Sequence, residues 1–488
     1  MRRIPYVLGL SGLLATSGVS TYAFAQNPTD EGAQHKTEQP SVADQPAAIL
    51  PAASAVTPTA SVAKPQMGDV SVSGYFRGGF GASNQKGRMT CFALANPAGL
   101  VSKYRLGNEC EVWAEVHFTM VAYADDDGVI ATMHFMPTVY IPTTNLGYSP
   151  TAVTSSPAQY TTSTGATVSF PNLYVDIKGI PWLFGGTAWA GTRYYKRESV
   201  YISDFFYWNP SGVGAGIEDI NIGGDLRLSY GVFAVDGDPT PSTASSPPLP
   251  MQIDLGFRND LQLRGIRPYE SGEFQVGFQY LADYSNNYDA NGSRVTHGGW
   301  GVTVQHVQKV LGGENKLAFQ YGRGGGTGFG TLSRFYYPDF SLYFSPSEYR
   351  IRIVDVLTIQ PTEWLGTQVG FVYQHDDLGN AGQKTDWYSA GARVSYAFTK
   401  YARLLGEAGY DRVLKSNGAD PQWLAKFTIA PAIAPGKGFK ARPELRLFYT
   451  WAMWNETARG ATVDSGRLYT TTEFLSGSIF GLQAETWW

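Results

Sequence analysis

Between Gly191 and Gly216 the chain reads GTRYYKRESVYISDFFYWNPSGVGAG, which sets Arg197, Glu198 and Asp204 beside Phe205, Phe206, Tyr207 and Trp208. A solvated loop does not carry rings at that density. Rings take the apolar faces of a solute, while guanidinium and carboxylate groups take its hydroxyls. The mixture suits a segment folded into a wet, walled space as a constriction loop, and it suits equally a packing loop buried beneath a lid. Other chemistry is sparse. Histidines stand at 35, 117, 134, 297, 306 and 375, none of them within a G-x-S-x-G elbow or an H-E-x-x-H pair. His375 with Asp376 and Asp377 comes nearest to a catalytic group and falls in a loop. Asp125 to Gly128 lacks the spacing and terminal glutamate of a calcium loop and reads as a hairpin turn. The glycines of 322–330 do not lead from a strand into a helix, so they cradle no phosphate. No cofactor, metal or enzymatic activity is expected.

The elements that position these groups are strands. From Val70 onward the pattern has period two: Val70, Val72 and Phe76 share one face, and Ser71, Ser73, Tyr75 and Arg77 the other. Val112, Ala114, Val116 and Phe118 oppose Glu111, Trp113, Glu115 and His117. At the end, Phe480, Leu482, Ala484 and Trp488 oppose Gln483, Glu485 and Trp487. Apolar outward and polar inward is what lipid outside and water inside demand. Short links (125–128, 223–224, 311–314, 399–400) alternate with long ones, the longest being 82–110, 142–166, 191–216 and 325–348. This predicts an all-β fold, an antiparallel transmembrane barrel of eighteen strands with an inward-folded constriction loop. At that size the lumen is wide enough for an aqueous channel.

Composition agrees. The chain has 56 Gly, 30 Tyr, 26 Phe and 12 Trp against 16% charged residues, which favours strands and turns. A net charge of -4 argues against nucleic acid. Residues 1–25, with Arg2, Arg3, an apolar run and Ala23-Phe24-Ala25, read as a secretory signal peptide. Residues 26–67, rich in Pro, Ala and Thr, read as a disordered periplasmic linker, and 68–488 as the barrel. In an exported chain, Cys91 and Cys110 are expected to form a disulfide.

On the inner wall, Tyr75 and Arg77 lie on one strand, Trp113 and Glu115 on the next, and Trp487 on the last, which must pair with the first. Pyranose rings offer apolar C–H faces to such aromatics and hydroxyls to such charges. The segments SKYRLGNECE (102–111), DFFYW, GVGAG and the terminal ETWW resemble maltoporin, over about residues 69–488. The resemblance implies a homotrimer in the bacterial outer membrane that passes maltose and maltodextrins along an aromatic slide flanked by a polar track. It maps the slide onto Tyr75, Trp113, Phe206 and Trp487, the polar track onto Arg77, Arg105, Glu115, Arg197 and Asp204, and a first-loop disulfide onto Cys91 and Cys110.

Three positions depart from the family. Slide rings give way to Glu314 and Lys440, and a track arginine to Pro171. The ring lent by a neighbouring subunit has only Tyr148 and Tyr160 as candidates. A slide cut short at its exit implies mono-, di- or short oligosaccharides as partners rather than long maltodextrins. A general porin, or a porin for another carbohydrate, is the alternative.

Overall fold

The computed structural model describes residues 64–87, 89–94, 103–142, 153–156, 159–162, 167–237, 254–283, 298–329, 347–379, 384–459, 462–463 and 474–488. The expected signal peptide, the expected linker up to residue 63, and Tyr148 lie outside these residues, and nothing is described of the Tyr160 side chain. The barrel strands are β1 (Val70–Ser83), β2 (Glu111–Ala124), β3 (Ile130–Pro142), β4 (Thr167–Lys178), β5 (Thr187–Arg193) and β6 (Gly212–Gly223). They continue with β7 (Leu226–Gly237), β8 (Asp254–Tyr269), β9 (Gly272–Asp283), β10 (Gly299–Val310), β11 (Gly313–Gly324) and β12 (Tyr349–Ile359). The last six are β13 (Leu365–Asp377), β14 (Lys384–Ala397), β15 (Ala402–Lys415), β16 (Gln422–Ile433), β17 (Glu444–Trp454) and β18 (Ser476–Trp487).

Each strand pairs antiparallel with its sequence neighbours, and β18 pairs with β1, so the eighteen-stranded cylinder closes as the alternation predicts. Closure leaves no unpaired edge, the condition for crossing lipid with strands. The turns 125–129, 224–225, 270–271, 311–312 and 398–401 gather at one end and the long connections at the other. The outer wall carries exposed apolar side chains in strict alternation: Val70 and Val72 on β1, Phe118 and Met120 on β2, Phe480 and Leu482 on β18. Turned to lipid, such a wall is favourable. In water it would cost about 25 cal/mol for each Å² left exposed.

The inner face is polar as expected, and on β11 to β17 apolar positions stand among buried polar side chains such as Gln320, Arg352, Gln368, Arg393, Glu407 and Lys426. On β11 to β17 the inward positions include Ala318, Val354, Val356, Val372, Leu405, Val413, Leu424, Ala430, Phe448 and Ala452, all buried. They form one core with Phe92, Leu94, Tyr104 and Leu106 of the first long connection and with Val200, Ile202, Phe205, Tyr207 and Trp208 of the inward loop. The reason is loop insertion: where two loops pack against the wall, that wall faces protein instead of water. Gly391 on β14 and Gly409 on β15 make the approach possible, since a Cβ at either would collide with the Tyr104 ring. The stretch 191–216 therefore lies inside the barrel, and one of its faces is core.

Candidate functional site

The site begins at the seam. Tyr75 stands opposite Trp487 and Arg77 opposite Glu485 across β1 and β18, while Arg77 stands opposite Trp113 and Tyr75 opposite Glu115 across β1 and β2. Period two puts all of these side chains on the lumen wall, so residues more than 400 positions apart form one surface.

Two loops settle on that surface. In the first, the disulfide Cys91–Cys110 (Cα–Cα 5.8 Å) closes the segment that ends at β2. Inside it the Asn108 side chain accepts from the Phe92 amide at 2.8 Å and donates to the Lys103 carbonyl at 2.7 Å. That fold aims Lys103 and Arg105 inward. Arg77 then meets Glu111 at 2.5 Å, Glu109 at 3.0 Å and Asp204 at 3.3 Å, and Lys103 meets Glu111 at 3.0 Å. Arg105 pairs with Glu109 at 2.6 Å and with Glu485 at 3.0 Å, and donates to the Tyr75 hydroxyl at 2.6 Å.

The inward loop supplies the facing wall. Its two short strands, Glu198–Val200 and Phe205–Trp208, form a ribbon around the turn Tyr201–Ser203, and Asp204 ends that turn in the left-handed region at φ 56°. The loop is tied to the barrel at several points. The Ile202 amide donates to Gln368 at 2.9 Å, Tyr207 donates to Gln305 at 2.5 Å, and Arg352 donates to the Tyr207 carbonyl at 3.0 Å. The Arg197 guanidinium lies over Tyr194 at 3.4 Å and over Phe206 at 4.9 Å.

Tyr75 (0% exposed) and Trp113 (4%) are both covered. Tyr75 is roofed by Arg105, and Trp113 donates to Glu115 at 2.9 Å and packs edge-on against Tyr140. Phe206 and Trp487 are half-buried. The residues expected to form the polar track, Arg77, Arg105, Glu115, Arg197 and Asp204, are all buried. At the turn end, Glu314 pairs with Lys316 at 3.3 Å on its own strand, and Lys440 is exposed. Next to Lys440, Phe439 is buried, and its ring lies edge-on to Tyr201 at 6.4 Å. Pro171 interrupts β4 at the register shift opposite Met136 to Thr138.

Glu485 is the hub that sequence reasoning passed over. It accepts from Tyr75 at 2.9 Å, Tyr201 at 2.8 Å, Arg105 at 3.0 Å, Arg442 at 2.8 Å and Arg446 at 2.9 Å. Its inward parity beside Trp487 was a usable signal, but its donors Arg105, Tyr201 and Arg442 come from the two loops and the β16–β17 turn, which no local pattern announces. Burial pushes the Tyr201 hydroxyl above its ordinary range, with Arg442 pulling the other way, so it acts as a neutral donor.

The His375 group lies at the end of β13 instead of in a loop, and its members take different partners. His375 meets Asp386 at 2.9 Å, Asp376 meets Arg350 at 2.5 Å, and Asp377 meets Lys384 at 2.9 Å. A different histidine group does assemble. His134 lies 2.9 Å from Asp176 and 3.2 Å from His117 and stacks on Tyr174 with ring centroids 4.1 Å apart.

The model of the family described as LamB porin matches residues 70–488. Among solved structures, the outer membrane channel DcaP of Acinetobacter baumannii is similar at 11% identity and a TM-score of 0.43, covering 86% of this chain and 98% of that one. The outer membrane protein opdK of Pseudomonas aeruginosa is similar at 10% identity and a TM-score of 0.44, covering 86% and 99%. The trimer form of OmpT of Vibrio cholerae is similar at 10% identity and a TM-score of 0.38, covering 87% and 100%.

Proposed function

The chain belongs to the LamB porin family, hence to the channels of the bacterial outer membrane, and from that premise we propose that it is selective for saccharides and favours mono- and disaccharides over long maltodextrins. The observation that carries the reading is the register. Tyr75, Trp113 and Trp487 occupy adjoining lumen positions on three neighbouring strands, interleaved with Arg77 and Glu115. A saccharide passing there meets rings for its C–H faces and charges for its hydroxyls. The preference for short sugars rests on Glu314 and Lys440, which stand where the family's pattern puts rings. Stacking a base on an aromatic, a loose analogue, is worth about 1–3 kcal/mol. Each missing platform thus weakens a long chain's hold by about tenfold or more.

A second reading draws on the covered state of Tyr75 and Trp113. With those two rings closed to stacking, the pore is a general one. Bilayer recordings of the purified protein separate the two. The sugar channel gives current block that saturates with maltose or another disaccharide and is weaker for maltohexaose than in an ordinary maltoporin. The general pore gives linear conductance that no sugar alters. Homotrimeric assembly, drawn from the family resemblance, belongs to the same proposal and is read from the mass of the detergent-extracted protein.

A further inference from the structure

Tyr201 is the ring of the inward loop that bonds Glu485 at the seam. It opens the turn Tyr201–Ser203, and that turn is clamped from three sides. The Ile202 amide donates to Gln368 on β13, the Arg105 amide donates to the Ile202 carbonyl at 2.8 Å, and the Lys103 amide donates to the Ser203 carbonyl at 3.2 Å. Held this way, the ring projects between the barrel's last strand and its exit turn. Its centroid is 6.4 Å from that of Trp487 at 85° and 6.4 Å from that of Phe439 at 79°. The guanidinium groups of Arg105 and Arg393 lie 4.8 Å and 5.3 Å from its centre. Its hydroxyl donates to Glu485 at 2.8 Å and accepts from Arg442 at 2.5 Å, and Arg442 also covers a face of Trp487 at 4.4 Å.

We infer that Tyr201 sets the length of saccharide this channel accepts, by holding the passage between Trp487 and Phe439 shut until its hydroxyl leaves Glu485 and Arg442. The inference rests on the saccharide reading given above. A pyranose stacking on Trp487 needs an open face of the indole, and here Arg442 takes one face while the Tyr201 edge stands beside the ring. Both obstructions are fastened to the same carboxylate, so they release together. A monosaccharide at the entrance need not disturb them. A chain long enough to lie across both Trp487 and Phe439 must break a buried hydrogen bond to a charged group, which costs about tenfold or more in affinity. Phe439, adjacent to the lysine that replaces the family's ring, supplies the platform such a chain would meet once Tyr201 has moved.

Two variants of the full chain test this in planar bilayers, with heat-modifiable gel mobility confirming the folded barrel. Tyr201→Phe keeps the ring and loses the latch, so maltotriose block is expected to tighten about tenfold while ion conductance stays within twofold of the parent. Tyr201→Ala removes the obstruction, and sugar-free ion conductance is expected to rise at least about 1.5-fold. Unchanged conductance in folded Tyr201→Ala would overturn the assignment of Tyr201 to the passage. Unchanged maltotriose block in Tyr201→Phe would overturn its role in length selection. Raised conductance with no sugar blocking any variant would overturn the proposal through the saccharide reading instead.

Discussion

Glu485→Gln measures how dry the seam is. The amide keeps the side chain's size and one accepting oxygen, but it loses the charge and turns an N–H2 group toward Arg105, Arg442 and Arg446, each about 3 Å away. At such separations an ion pair is worth roughly 1 kcal/mol in bulk water and about 4 kcal/mol at the effective dielectric of a protein site. The Glu485 side chain is fully buried, and removing one partner from a buried charge cluster costs about 3–5 kcal/mol. Compensation remains: Glu444 lies 3.2 Å from Arg446 and 3.8 Å from Arg442, and Glu109 stays with Arg105. The lower end, about 3 kcal/mol, is therefore expected. The assay is guanidinium unfolding of full-length protein refolded into vesicles, with the loss read from the midpoint shift at unchanged slope. Asp225→Asn serves as control, because its pair with Arg267 is solvent-exposed on both sides and is worth about 0–1 kcal/mol. If Glu485→Gln lost no more than the control, water would be screening the cluster. The reading of Glu485 as a buried hub would then be refuted.

The remaining predictions concern the loops and the exit. Cys91→Ser opens a loop with a sequence separation of 19, worth about 3 kcal/mol to the closed segment. Trypsin should then cut after the buried Lys103 while the barrel stays heat-modifiable, and continued resistance would show that the Asn108 hydrogen bonds suffice alone. Phe206→Ala removes the half-buried ring beneath Arg197 and should weaken disaccharide block by about tenfold; an unaltered block would place the sugar path elsewhere. Lys440→Trp restores a ring beside Phe439 and should tighten maltohexaose block by about tenfold, and no change would mean that the exit turn does not touch the solute.

The barrel was legible because a strand's two faces are encoded two residues apart. Val70, Val72 and Phe76 against Tyr75 and Arg77 is a local pattern, and lipid leaves the outward set no alternative. The meeting of Tyr75 with Trp487 was equally readable, since an even, closed sheet must join its first strand to its last. What the sequence could not state is how far the two loops descend into the lumen. That depends on Tyr104 finding room at Gly391 and Gly409, on the Ile202 amide finding Gln368, and on Glu485 collecting donors from elements 39 to 410 residues away. Those contacts decide that Tyr75 and Trp113 are covered instead of open, and that Tyr201 stands beside Glu485 and Trp487. Period and closure are properties of neighbouring residues and could be read one strand at a time. Burial of a lumen side chain is a property of whatever segment comes to rest on it, and only the folded chain brings that segment there.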